Sequence, residues 1–244
     1  MKPAILKTAI CILLPILALS CAGPSQPVQQ ESENGVDNIT PAVSPPIVNP
    51  GDGSTPEDAC SALLISADYD RAIEEAGAAL ETDPEDTALR ERLADAYIAR
   101  AWYYKAKRLN PYTLSDLGKA VEVAPEYYRA HYELGRFHNN QWQFSIGLLY
   151  LNKALSLKPG FAPAYSERGY SNYKKQDYET ALAEVNKAIA LDAEDGQFYY
   201  VRSLVYRAMG KKELAISDLE TVLRLSKDNA LTDKAGADLQ ALKK

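Results

Sequence analysis

Three cysteines and two histidines in 244 residues leave little material for a disulfide framework or a multi-ligand zinc module. A basic excess is missing too. Lys and Arg total 27 against 33 Asp and Glu, a net charge of −6, so there is no broad positive field for duplex nucleic acid and none is expected as a partner. Long apolar runs are also scarce: the longest, Thr8 to Leu19, holds about a dozen residues where a span of the bilayer takes about 20, which argues against a permanent transmembrane helix. With 46% hydrophobic and 25% charged residues the chain is neither a disordered polymer nor a multi-pass membrane protein.

What is present falls into three unlike segments. Lys2 and Lys7, the apolar run and the small residues Ser20-Cys21-Ala22-Gly23 have the tripartite form of an export signal, residues 1–20. Leu17-Ala18-Leu19-Ser20-Cys21 resembles a bacterial lipoprotein box, in which the cysteine is acylated, although Ala18 stands where Leu is most frequent. Cys21 is the expected lipidation site; ordinary cleavage after Ser20 is the alternative. Removing Lys2 and Lys7 takes the net charge from −6 to −8. The expected location is therefore the bacterial cell envelope, held by lipid on a membrane that the sequence does not specify, or else a secreted or periplasmic soluble form.

Residues 21–55 carry the lipid site and a tether. Six prolines lie among Ser, Gln, Asn, Gly and acids, with no aromatic residue and no periodicity from Ala22 to Thr55. Such a segment cannot bury enough apolar surface to offset its ordering entropy. As a flexible coil it reaches about 30 Å.

The remainder, 56–244, repeats. Units of 34 residues run 53–86, 128–161, 162–195 and 196–229, and the unit 87–127 has seven more. Small residues recur at fixed places: Cys60, Ala94, Gly135, Gly169 and Ser203 at the eighth, Ala72, Thr113, Gly147, Ala181 and Ala215 at the twentieth, Ala79, Ala120, Ala154, Ala188 and Val222 at the twenty-seventh. Two helices approach to about 8 to 10 Å only where crossing side chains are short. A larger apolar residue follows at the twenty-eighth (Leu80, Val121, Leu155, Ile189, Leu223), and Pro84, Pro125 and Pro159 end the second helix. Period and columns resemble the tetratricopeptide repeat. The resemblance implies an all-α fold: a right-handed α-solenoid of about five helix hairpins, closed by a capping helix over 230–244 in which Leu231, Ala235, Leu239 and Leu242 share a face.

Two departures stand out. Arg168 and Arg202 replace the apolar residue, usually Leu, that the family prefers at the seventh place; their stems are expected to cover the core while the heads reach water or an acidic neighbour, with partner binding as the alternative. The seven extra residues of the second unit equal two helical turns, about 10.5 Å, and predict a first helix that projects past the stack. Trp102, Tyr103 and Tyr104 on that projection form a docking knob for a partner, or else pack around Trp142 and Phe144. Asn110-Pro111 is expected to cap and start the helix that follows.

No catalytic constellation, cofactor loop or metal site is evident. His131 and His138 lie at the fourth and eleventh places of one helix, normally packing positions, and are about 10.5 Å apart along its axis, too far to share a metal. Cys60 sits in a small-residue column and reads as a buried hydrophobe. The family resemblance implies instead that first helices line a concave groove for a peptide. Its groove places bring Arg129, Tyr132, Arg136, Asn139, Asn140, Tyr170, Tyr173, Lys174, Tyr200, Leu204 and Arg207, an aromatic, amide and basic set suited to a partner of acidic character; the alternative is a merely solvated face. The expected function is a non-enzymatic adaptor binding a protein or peptide, resembling in architecture the repeat lipoproteins that assist pilus or outer-membrane assembly. A self-associating scaffold built on Trp102 and an unrecognised envelope enzyme are the alternatives.

Overall fold

The computed structural model describes residues 68–244. The expected export signal, Cys21, the expected tether and the start of the first repeat, with Cys60, lie outside the described residues. Those described form ten helices: α1 Tyr69–Thr82, α2 Thr87–Ala106, α3 Asn110–Val123, α4 Tyr128–Asn140, α5 Phe144–Leu157, α6 Ala162–Lys174, α7 Tyr178–Leu191, α8 Gly196–Ala208, α9 Lys212–Leu225 and α10 Asn229–Lys243. No strand occurs among them. They pair as antiparallel hairpins, α2 with α3, α4 with α5, α6 with α7 and α8 with α9, stacked in chain order, with α1 the second helix of the first repeat. This is the all-α solenoid that the repeat predicts.

Local chemistry sets the boundaries. Asp68, Asp86, Asp177, Asp195 and Asp228 each accept a backbone N–H of the first turn of the helix they precede. Pro84, Pro125 and Pro159 follow the ends of α1, α3 and α5 by two residues. Where Ala193 and Lys227 replace that proline, α7 and α9 end at the same place, because Asp195 and Asp228 cap the next helix. Asn110 is the first residue of α3 rather than its cap; Leu109 holds the cap position without a side-chain bond.

Every expected small column is buried where it is described, apart from half-buried Ala79. Close approach explains it: a Cβ on Gly169 would stand 2.5 Å from Val185 Cγ2 and 3.1 Å from the Ala181 carbonyl oxygen. The large residues at the twenty-eighth place meet the expectation only in part: Leu155 is buried, Leu80, Val121 and Ile189 are half-buried against the core, and Leu223 is 41% exposed. Leu117, Leu151, Val185 and Leu219, four residues earlier, are sealed. Full burial of each contributes about 2 kcal/mol. Helix α10 lays Leu231, Ala235, Leu239 and Leu242 against Tyr200, Leu204, Leu219 and Val222, the capping role expected of it.

The insertion behaves differently from its prediction. Helix α2 has 20 residues where α4, α6 and α8 have 13. Yet the turn after it keeps register with the others: left-handed backbone occurs at Arg108, Trp142, Gln176 and Gly210, each 34 residues after the last. Arg100 also pairs with Asp116 sixteen residues on, as Arg168 does with Glu184 and Arg202 with Asp218. The in-register repeat is therefore 94–127, and the extra turns, Thr87 to Leu93, lie at the N-terminal end of α2. There they pack on α1, with Leu93 and Ala96 against Ala72 and Ala76. The longer helix staggers α1 and α3 along its axis by about 10.5 Å instead of projecting a knob beyond the turn.

Candidate functional site

Counted in this register, Trp102 and Lys105 hold the ninth and twelfth places of α2, equivalent to Arg136 and Asn139 on α4, Tyr170 and Tyr173 on α6, and Leu204 and Arg207 on α8. Trp102 thus belongs to the face that the first helices present, not to a separate knob. It is half-buried, and its indole N–H donates to Glu133 Oε2 at 3.0 Å. Tyr103 is 46% exposed, its ring 5.7 Å from Tyr69 and 5.9 Å from Tyr104, while Trp142 pairs separately with Phe144 at 5.8 Å.

The predicted groove residues divide into two groups. The first is turned inward. Tyr132, Arg136, Asn139, Tyr200 and Leu204 are each less than 5% exposed. The fifth place, where Tyr132 and Tyr200 stand, points at the next unit: Tyr132 packs with Phe161 and the core of the following hairpin, and Tyr200 packs on α10. Arg136 donates from Nη1 to Glu133 at 2.9 Å, and its guanidinium lies 4.7 Å from the Trp102 ring centre and 5.4 Å from that of Tyr132. Its Nε stands 3.8 Å from Glu167. Asn139 donates to Glu167 Oε2 at 3.1 Å and accepts the Ser171 hydroxyl at 2.9 Å. Two carboxylates thus surround the Arg136 charge across α4 and α6, although its buried Nε has no hydrogen-bond acceptor.

Lys105 completes this cluster at a cost. Its ammonium sits 4.4 Å from the Trp102 ring centre with no hydrogen-bond acceptor. Burial, aided by the Arg136 charge and opposed by Glu167 and Glu133, pushes it down to about 8. Burial also raises Glu167 above the ordinary carboxylate range despite the opposing Arg136 charge and the Asn139 hydrogen bond. Beside them, Asp95 pairs with Arg129 at 3.2 Å and accepts the Tyr127 hydroxyl. Desolvation raises Asp95 in spite of that arginine.

The second group is open. Asn140, Tyr170, Tyr173 and Lys174 are half-buried, and Arg207 has 43% of its side chain exposed. Lys174 lies 4.7 Å from the ring centre of Trp142, 5.4 Å from Tyr170 and 5.6 Å from Tyr173. Trp142 is 58% exposed. Arg207 pairs with Asp238 at 3.1 Å, and Tyr200 donates to the same carboxylate at 2.9 Å. Against the opposing effect of burial, Asp238 holds the Arg207 guanidinium above its ordinary range. The result is an aromatic and basic surface on the last turns of α6 and α8, edged by the turn after α4.

Arg168 and Arg202 carry their charges to acids, as predicted. Each grips a carboxylate with two nitrogens, Arg168 on Glu184 at 2.9 and 2.8 Å and Arg202 on Asp218 at 2.8 and 2.8 Å. Each also donates to an asparagine of the preceding hairpin, Asn152 and Asn186. Arg100 does the same with Asp116 and Asp70. His131 and His138 are packed, 6% and 8% exposed, and both rings stack with Tyr150, at 6.3 and 5.5 Å.

What sequence reading missed is Lys105 beside Arg136 on the Trp102 ring, the acids Glu133 and Glu167, and Trp142 at the rim. The signal for the first was present: Arg100, Arg168 and Arg202, with acids sixteen residues after each, align the second unit from its C-terminal end.

Stacked hairpins with this spacing define a helical-repeat solenoid. Residues 196–229, the fifth repeat, match the tetratricopeptide repeat family model. Curated proteins give no match. Among solved structures, a thermophilic tetratricopeptide-repeat protein of Thermus thermophilus, TTC0263, is 20% identical with a TM-score of 0.54, over 76% of this chain and 97% of that one. YrrB, a protein of the same repeat with an unusual peptide-binding site, is 19% identical with a TM-score of 0.53, over 75% and 90%. MamA is 20% identical with a TM-score of 0.51, over 68% and 92%. At these identities the likeness is one of fold: the described residues form a helical-repeat solenoid similar to those structures, and residues 196–229 match the tetratricopeptide repeat.

Proposed function

We propose that the protein is a non-enzymatic adaptor that docks a protein or peptide partner on the face carried by its first helices. The observation behind this reading is the open surface of Trp142, Tyr170, Tyr173, Lys174 and Arg207. Aromatic rings with a polar tip and guanidinium or ammonium donors are the groups that dominate protein recognition. Their positive charge within an acidic chain suits a partner segment that carries carboxylates. YrrB, of similar fold, has a peptide-binding site, which supports the class of activity. The half of the face around Arg136 is less suited, since its charges are buried against one another, whereas Arg207, although paired with Asp238, keeps 43% of its side chain exposed.

Lipid attachment at Cys21, with export to the cell envelope, is part of the same proposal; the tether over 21–55 then lets the solenoid reach partners about 30 Å from its anchor. The self-association alternative loses its main support, because Trp102 is turned into the stack. The test is affinity capture from intact envelopes with the full chain carrying Tyr173→Ala and Arg207→Ala. A specific partner captured by the natural chain should be lost; undiminished capture by the double variant sinks the assigned surface. Cys21→Ser should abolish incorporation of labelled palmitate, and persistence of the label would remove the anchor from the proposal.

A further inference from the structure

The arginine at the seventh place does more than seal one hairpin. Its planar fork holds the carboxylate of its own second helix through two bonds, and the remaining nitrogen reaches back to the second helix of the hairpin before it. Arg100 ties α2 and α3 to α1 through Asp70, Arg168 ties α6 and α7 to α5 through Asn152, and Arg202 ties α8 and α9 to α7 through Asn186. Three of the four seams in the stack therefore carry a directional polar bond between consecutive second helices.

The fourth does not. Between the hairpin α2–α3 and the hairpin α4–α5, all three places of the device are replaced at once: Leu134 stands for the arginine, Tyr150 for the carboxylate and Gly118 for the back-reaching acceptor. The Tyr150 ring stacks on His138, 3° from parallel, within its own hairpin. Among the described residues, no hydrogen bond or ion pair links a side chain of α3 to α4 or α5. One exposed ion pair, Lys153 of α5 with Glu126 of the turn between α3 and α4 at 3.1 Å, holds the turn and not α3 itself; what joins α3 to the next hairpin is apolar, Leu117, Ala120 and Ala124 against Ala130, Leu134 and Phe137. Apolar contact is non-directional and resists sliding and tilting less than a charge-assisted hydrogen bond from a guanidinium does.

The opposite face of the same seam is pinned. Asp95 on α2 holds Arg129 and the Tyr127 hydroxyl, and Trp102 donates to Glu133, so polar bonds join α2 to the first half of α4. A seam bonded on one face and free to slide on the other has an axis.

We infer that the solenoid bends at this one seam, hinging on the α2–α4 polar strap, so that α3 and α5 open and close while α4 to α9 move as a body bearing the open aromatic and basic surface. The device goes beyond the docking proposal: it sets the curvature of the first-helix face whether or not a partner is bound there.

The test compares seams within one molecule. Glu122, Ser156, Ala190 and Arg224 occupy the same place on α3, α5, α7 and α9. In the full chain with Cys11, Cys21 and Cys60 replaced by Ser, spin labels at Glu122→Cys and Ala190→Cys span the unpinned seam, and labels at Ser156→Cys and Arg224→Cys span two pinned ones. Pulsed dipolar spectroscopy should give a distance distribution about twofold broader for the first pair, as hinge motion between packed bodies requires. Equal widths overturn the inference. Installing the missing device, Gly118→Asn with Leu134→Arg and Tyr150→Glu, should narrow the first distribution to the width of the second; nothing lies within 4 Å of a Cβ at Gly118, so the asparagine has room. A folded triple variant that stays broad refutes the missing tie as the cause. Should that variant fail to fold, the comparison in the natural background decides by itself.

Discussion

Lys105 is a charge the fold carries at a loss, and removing it should stabilise the protein. Its ammonium is desolvated between Trp102 and Arg136 with no acceptor, which lowers its proton affinity from the ordinary 10.5 to about 8. At about 1.36 kcal/mol per pH unit, holding the charged form at pH 7 costs the folded state about 3 kcal/mol. The sign follows from linkage: the unfolded chain binds this proton more tightly, so the penalty is complete below pH 8, fades between pH 8 and 10.5, and is gone above. Lys105→Met keeps the stem that covers Trp102 and deletes the charge. Urea unfolding followed by circular dichroism should find the variant more stable by about 3 kcal/mol at pH 7 and by less than about 1 kcal/mol at pH 10. A variant less stable than the natural chain at pH 7 would show that the attraction of Glu133 and Glu167 outweighs desolvation. An advantage of equal size at both pH values would show that the gain comes from apolar packing and not from the charge.

Two further comparisons probe the stack. Gly169→Ala forces a Cβ against Val185 and the Ala181 carbonyl and should cost about 1 to 3 kcal/mol in thermal unfolding, whereas Gly118→Ala, which meets open space, should gain a few tenths through its helix propensity; comparable losses at both would refute the close-approach account. Arg202→Leu restores the family's preferred residue yet strands Asp218, whose side chain is 6% exposed, and should destabilise by about 3 kcal/mol; adding Asp218→Leu should recover most of the loss, and an additive double variant would show that the pair is not coupled.

The repeat was legible because its constraints are local and recur. A 34-residue period, short side chains where helices cross and prolines after the second helices all follow from backbone geometry, so the all-α solenoid, the hairpin order and the cap could be read from residues such as Gly135, Gly169, Ala181 and Pro125. The seventh-place arginines were legible for a similar reason: a charge in an apolar column needs an acid, and one lies sixteen residues on. Placing the two extra turns required more. Counting forward from Thr87 makes the small eighth residue Ala94 and leaves Trp102 on a projection; counting back from Tyr127 makes it Ala101, which is fully buried, and brings Trp102 into line with Arg136. Both counts satisfy the small-residue column, and the left-handed turn at Arg108 together with the pairing of Arg100 with Asp116 and Asp70 distinguishes them.

The sequence by itself determined the secondary structure, the order of the hairpins and the supply of aromatic and basic groups on the first helices, since each depends on residues close along the chain. The tertiary structure decided which of those groups remain available. Arg136 and Asn139 share places with Tyr170 and Tyr173, and their type and spacing mark them equally for a partner. Whether such a side chain faces solvent or its own neighbours depends on what stands opposite it on the adjacent helices, Trp102, Glu133 and Glu167 for the one group and the turn at Trp142 for the other. That opposition is a property of stacking between units and is not written in any one of them.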